Sequence, residues 1–278
     1  MSLDPLLLAT AVEAVLRAGD THMASFGSSL RIDKKGEIDL VTEVDLAAER
    51  MFRALIAERF PDHAVLAEEL GAPGERGTAD YCWVFDPLDG TTNYAHGLPV
   101  FSASLALERH GELVLGAVYD PTRKELFTAE RGGGAFLNGA PLRVSSAERL
   151  LDALLVTGFP YDVHATVDEI VGLFGAFIGR AQAVRRLGSA ALDLCYVAAG
   201  RMDGFWERRL KPWDMAAGGL IVEEAGGLVT GMDGRPFNCR AGHVVASNAR
   251  IHADMLQVVA KFEADRTRRA DRSRDRTL

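Results

Sequence analysis

A chain of 278 residues with 48% apolar side chains can bury a substantial core as one large domain or two fused halves, which excludes a largely disordered protein. A formal net charge of -8 excludes a protein whose main task is to coat nucleic acid, since that needs a basic footprint, and leaves room only for a local basic patch. Cys82, Cys195 and Cys239 are odd in number and widely spaced, so they read as reduced core thiols, not as a disulfide framework.

No basic region precedes the first apolar stretch, which Glu13 and Arg17 soon interrupt. Neither a signal peptide nor a membrane span is expected, and the chain reads as cytoplasmic. Residues 5–24 place Leu8, Val12, Val15 and Leu16 on one helical face. A short strand is expected at 38–44, then a second helix with Asp45 at its mouth and Pro61 at its end. Short aliphatic and aromatic runs at 64–67, 81–85, 100–107, 113–119 and 125–129 read as strands. The glycines at 132–134 and the pair Asn138-Gly139 are turn chemistry, and no Lys-Ser or Lys-Thr follows to make a phosphate loop.

Beyond about residue 146 strands and helices alternate. Strands are expected at 153–157, 183–187, 203–206 and 243–247, with helices at 165–179, 189–199 and 213–225. This predicts an N-terminal α+β half over 1–145, a C-terminal α/β half over 146–262, and a charged, disordered tail over 263–278.

The most informative segment runs from Trp83 to Asn93, where an apolar strand leads into Asp86-Pro87-Leu88-Asp89-Gly90-Thr91-Thr92. Pro87 disfavours a continuing ladder, so the two carboxylates can converge instead of alternating across a sheet. Converging carboxylates repel, and a divalent cation relieves the repulsion; hard oxygen donors of this kind suit magnesium. Gly90, Thr91 and Thr92 offer N–H groups and hydroxyls beside them for phosphate oxygens. Asp214, after Pro212 and Trp213 at a helix start, is by itself more often a helix cap than a ligand. The histidines form no metal-binding pair, so zinc has little support.

The string from Asp86 to Asn93 resembles the metal signature of the inositol monophosphatase family, in particular its bacterial SuhB-type members. Ala67-Glu68-Glu69 is similar to the family's upstream acidic motif, and the run from Lys211 to Gly218 to its downstream Trp-Asp motif. These landmarks keep family order from about Lys34 to Asn248. The resemblance implies a layered αβαβα sandwich, shared with fructose 1,6-bisphosphatase. It also implies Mg2+ as cofactor, with Glu68, Asp86, Asp89, Asp214 and the Leu88 carbonyl as ligands and Asp89 bridging. Glu68 and Thr91, paired with Asp45, would hold the attacking water. Asp89, Gly90, Thr91, Ser189, Ala190, Glu207 and Asp214 would contact the substrate. Lys34 matches a basic family position near the metals.

The implied activity is hydrolysis of a small-molecule phosphate monoester, myo-inositol monophosphate first, by a lithium-sensitive homodimer. Related families act on fructose 1,6-bisphosphate, histidinol phosphate and 3'-phosphoadenosine 5'-phosphate. Glu207 beside Arg208 and Arg209 reads equally well as a member of surface ion pairs. The SuhB likeness also allows a secondary role as a partner of RNA or the transcription machinery, for which Arg185, Arg186 and the arginine-bearing tail are the contact candidates.

Overall fold

The computed structural model describes residues 3–28, 32–34, 40–71 and 79–274. Helix α1 (Pro5–Ser25) starts where Asp4 accepts a hydrogen bond from the Leu6 N–H at 2.9 Å and proline occupies the first turn. A small hairpin, β1 (Ile32–Lys34) and β2 (Leu40–Thr42), feeds α2 (Glu43–Arg59). The expected strand at 38–44 is thus shorter, because Thr42 and Asp45 close a capping box that starts the helix at Glu43. Residues 38 and 39 lie outside the described residues.

The buried faces of α1 and α2 cover a seven-stranded sheet. Its strands follow chain order: β3 (Ala64–Ala67), β4 (Tyr81–Asp89), β5 (Ser102–Arg109), β6 (Glu112–Asp120), β7 (Glu125–Glu130), β8 (Gly134–Leu137) and β9 (Ala140–Pro141). Only β3 and β4 are parallel; the rest form an antiparallel meander. A short helix α3 (Thr91–Ala95) follows β4 directly.

The second sheet has the order β11-β10-β12-β14-β13. It is built from β10 (Leu154–Thr157), β11 (Ala183–Arg185), β12 (Gly204–Arg208), β13 (Leu228–Thr230) and β14 (His243–Ser247). The first three in that order run parallel, and β14 is antiparallel to both its neighbours. Helices α5 (Ala190–Ala198) and α6 (Pro212–Glu224) lie between the two sheets, while α4 (Val163–Ile178) and α7 (His252–Arg274) cover the outer face of the second. Every residue of α5 is buried, as a helix enclosed on all sides requires. The result is the αβαβα sandwich. Its largest core cluster mixes residues such as Val84 and Phe127 with Leu192, Phe205 and Leu220, so both sheets share one interior. All three cysteines are buried thiols outside any disulfide among the described residues, as expected.

The chain past 262 differs from the expected disordered tail: α7 runs to Arg274, and only 275–278 fall outside the described residues. Arg266 on α7 finds a partner on α4 and another one turn back on its own helix. Arg266 lies 2.7 Å from Glu169 and 3.1 Å from Glu263, and Arg208 bridges the same two glutamates. Among the described residues no helix is long and apolar enough to cross a membrane.

Candidate active site

Strand β4 loses its regular register between Asp86 and Asp89, where Pro87 removes a ladder donor. The freed backbone turns on itself, with the Leu88 N–H donating to Asp86 Oδ1 at 3.0 Å. Gly90 then adopts φ +96°, and a Cβ there would sit 2.9 Å from the Val100 carbonyl oxygen. Only glycine fits this bend. Gly90→Ala is therefore expected to cost more than about 1 kcal/mol of stability, read as a lower denaturant midpoint at unchanged m-value.

The bend aims Thr91 at α2. Its hydroxyl donates to the Leu88 carbonyl at 2.9 Å and reaches Asp45 Oδ1 at 3.2 Å. The other oxygen of Asp45 accepts from the Thr42 N–H at 2.9 Å and the Thr42 hydroxyl at 2.5 Å. The capping box that starts α2 is thus also the mount for the Thr91–Asp45 pair. The Asp89 carboxylate meets the start of α5, accepting from the Ser189 hydroxyl at 2.5 Å, the Ala190 N–H at 3.2 Å and the Ala191 N–H at 2.8 Å. Asp214 caps α6 through the Lys211 N–H at 2.7 Å, so the cap and a place in the site coexist.

Glu68 follows β3, and buried Glu49 secures the backbone after it by accepting from the N–H groups of Glu69 at 2.7 Å and Leu70 at 3.1 Å. Glu68, Asp86, Leu88, Asp89, Gly90, Thr91, Ser189, Ala190, Glu207 and Asp214 all line one cavity of about 460 Å3. The structure therefore brings together every expected ligand and substrate contact, with Asp45 just behind Thr91.

Burial, reinforced by the neighbouring charges of Glu68, Asp89 and Asp214, pushes the Asp86 carboxyl well above its ordinary range. Burial and Glu68 do the same to Asp214. Asp89 is raised by burial to about 6, and only its hydrogen bonds from Ser189, Ala190 and Ala191 hold it that low. Asp45 is likewise raised by burial to about 6. Such a cluster takes up either protons or a hard cation. Among the described residues no three acidic, histidine or cysteine side chains already close on one point. An ion on this wall would complete its shell with water and substrate oxygen, which is how magnesium binds. The all-oxygen donor set fits that metal.

The family model described as the inositol monophosphatase family matches residues 4–263. The chain belongs to the inositol monophosphatase family. It is 46% identical to an inositol-1-monophosphatase of Synechocystis over 91% of this chain and 88% of that one. It is 44% identical to the Nus factor SuhB of Pseudomonas aeruginosa over 91% of this chain and 95% of that one. A crystal structure of the extragenic suppressor protein suhB from Bartonella henselae superposes with a TM-score of 0.85 at 39% identity, covering 91% of this chain and 98% of that one.

Within this family member, among the described residues, Glu207 takes no part in the surface ion pairs of its arginine neighbours. Its side chain is 7% exposed and faces the cavity, whereas Arg208 pairs with Glu169 and Glu263, and Arg209 with Asp162. The strand's two-residue alternation sends Glu207 and Arg208 to opposite faces. Burial raises Glu207 to about 8, with Arg186 acting against it. Arg186, counted above among RNA contacts, is exposed and also lines the cavity, with its guanidinium 5.6 Å over the Phe159 ring. Lys34 is exposed on β1 and is not among the cavity residues.

Sequence reasoning passed over Gly158, Phe159, Tyr161 and Asp193, which also line the cavity. Gly158 leaves the space that the Glu207 carboxylate occupies, since a Cβ there would overlap it. The only signal for Asp193 was its place one helical turn after Ser189.

Proposed function

We propose that this chain is a magnesium-dependent phosphomonoesterase whose leading substrate is myo-inositol monophosphate. The observation that carries the reading is the single cavity in which the acidic residues, the Gly90-Thr91-Thr92 turn and Glu207 face one another. Glu68, Asp86, Asp89, Asp214 and the Leu88 carbonyl would hold the metal. When bound, magnesium supplies charge neutralisation on the phosphate and a lowered pKa for water. The chain's own groups align the reactants, which is most of what phosphoryl transfer asks of a protein.

Gly90, Thr91 and Thr92 would direct N–H groups at the phosphate oxygens. Glu68 and the Thr91–Asp45 pair would orient a water toward phosphorus and accept its proton, while the ester P–O bond breaks and the leaving oxygen takes up a proton. Glu207 would accept from hydroxyls of the alcohol. Homodimer assembly, lithium sensitivity and cytoplasmic residence belong to the same reading.

Phosphate release from a panel of myo-inositol 1-phosphate, fructose 1,6-bisphosphate, histidinol phosphate and 3'-phosphoadenosine 5'-phosphate tests it. The inositol ester is expected to lead, and chelation by EDTA to reduce release to background until magnesium is restored. Phe159, Tyr161 and Trp213 on the cavity wall keep the nucleotide in the panel, because a base stacks on aromatic faces. Release that persists in EDTA would sink the metal assignment.

The name of the Pseudomonas relative supports a second reading, a partner of the transcription machinery. RNA binding that weakens steeply with salt yet survives Asp89→Asn would favour it. Of its candidate contacts Arg185 and Arg186 are exposed, Arg186 at the rim of the cavity, while Arg266 is held in ion pairs.

A further inference from the structure

The Asp193 carboxyl is fully buried, and neither of its oxygens has a hydrogen-bond partner among the described residues. It lines the cavity together with Glu207 and Arg186. These groups sense one another: Glu207 raises the Asp193 carboxyl further above the position burial gives it, and Arg186 lowers both acids. Yet no ion pair or hydrogen bond joins them among the described residues, and Arg186 rests over Phe159. Native proteins seldom retain an unpartnered buried polar group unless something that arrives from outside completes it. A hydroxyl does so well, because it donates and accepts at once. An acid lacking partners, a second acid open to the cavity and a guanidinium with only donors together match adjacent hydroxyls on one carbon skeleton.

We infer that Asp193 is a specificity-determining residue for the alcohol half of the substrate, recognising vicinal hydroxyls together with Glu207 and Arg186. The inference rests on the phosphomonoesterase reading above and adds to it the residue that separates polyol esters from simple ones. A site built to bond a hydroxyl discriminates strongly against an analogue without one, because its own polar groups are then left unpaired.

The test compares kcat/KM for myo-inositol 1-phosphate and for 4-nitrophenyl phosphate, whose leaving group carries no neighbouring hydroxyls, in the full chain with magnesium. Asp193→Leu is expected to lower the inositol ester about 30-fold, mainly through KM, and the aryl ester by less than about twofold. Asp193→Asn, which keeps a donor and an acceptor, should retain most of the selectivity. The melting temperature of Asp193→Leu should not fall, because an unpaired buried polar group has been removed. Should the leucine variant fail to fold, Asp193→Ala takes its place. Equal losses on both esters, or none on either, overturn the inference.

If the native chain hydrolyses neither ester, the phosphomonoesterase reading fails by itself. The role of Asp193 is then read from calorimetric binding of myo-inositol 1-phosphate: loss of binding in Asp193→Leu supports it, and equal or absent binding overturns it.

Discussion

Asp89→Asn is expected to lower magnesium-dependent phosphate release by at least about a thousandfold, the scale of several kcal/mol of lost charge stabilisation. Asp89 stands between the bend after Pro87 and the start of α5, so the carboxylate proposed as a metal ligand is also part of the scaffold. As scaffold it accepts from the Ser189 hydroxyl and the N–H groups of Ala190 and Ala191. An asparagine carbonyl can still accept there, but its NH2 group would face donors, and a mismatched buried donor costs about 1–3 kcal/mol. Replacing a buried, crowded carboxylate with a neutral amide offsets part of that cost. The variant is therefore expected to fold with a modestly lower melting temperature while losing turnover. Circular dichroism and a phosphate-release assay on the same sample separate the two effects. Near-normal activity would refute the role assigned to Asp89.

Thr91→Ala should lower kcat by about 100- to 1000-fold while leaving the magnesium half-saturation point within about threefold. The hydroxyl sits between the Leu88 carbonyl and Asp45 Oδ1, at 2.9 Å and 3.2 Å, where it can pass orientation from the α2 capping box to a water in the cavity. Removing it leaves the carboxylates proposed to hold the metal in place. Thr91→Ser, which keeps the hydroxyl, should recover most of the rate. A collapse of magnesium affinity with kcat unchanged at saturation would show that Thr91 serves the metal and not the water.

Much of this architecture was legible before the structure because local signals and global packing agree. The β4 run from Tyr81 is apolar on both faces because helices cover both, and it stops at a proline with acids on either side. The alternation after residue 146 announced the second sheet, and the helices expected from residues 5 and 213 start at Pro5 and Pro212. Where reading failed, the deciding interaction joined residues distant in the chain. Residues 263–274 look like a solvated tail until Glu169 on α4 is seen to hold Arg266.

By itself the sequence determined that the chain is an acidic, layered α/β protein with carboxylates at a strand end, an order of motifs that identified its family. Only the tertiary structure decided which face Glu207 and Arg186 present, that Asp89 is gripped by α5, and that Asp193 is buried in the same cavity without a hydrogen-bond partner among the described residues. The physical reason is range. Propensity, capping and alternation are set by neighbours within a few residues. The charge and hydrogen-bonding state of a buried side chain is set by groups about a hundred residues away that packing brings within a few ångströms.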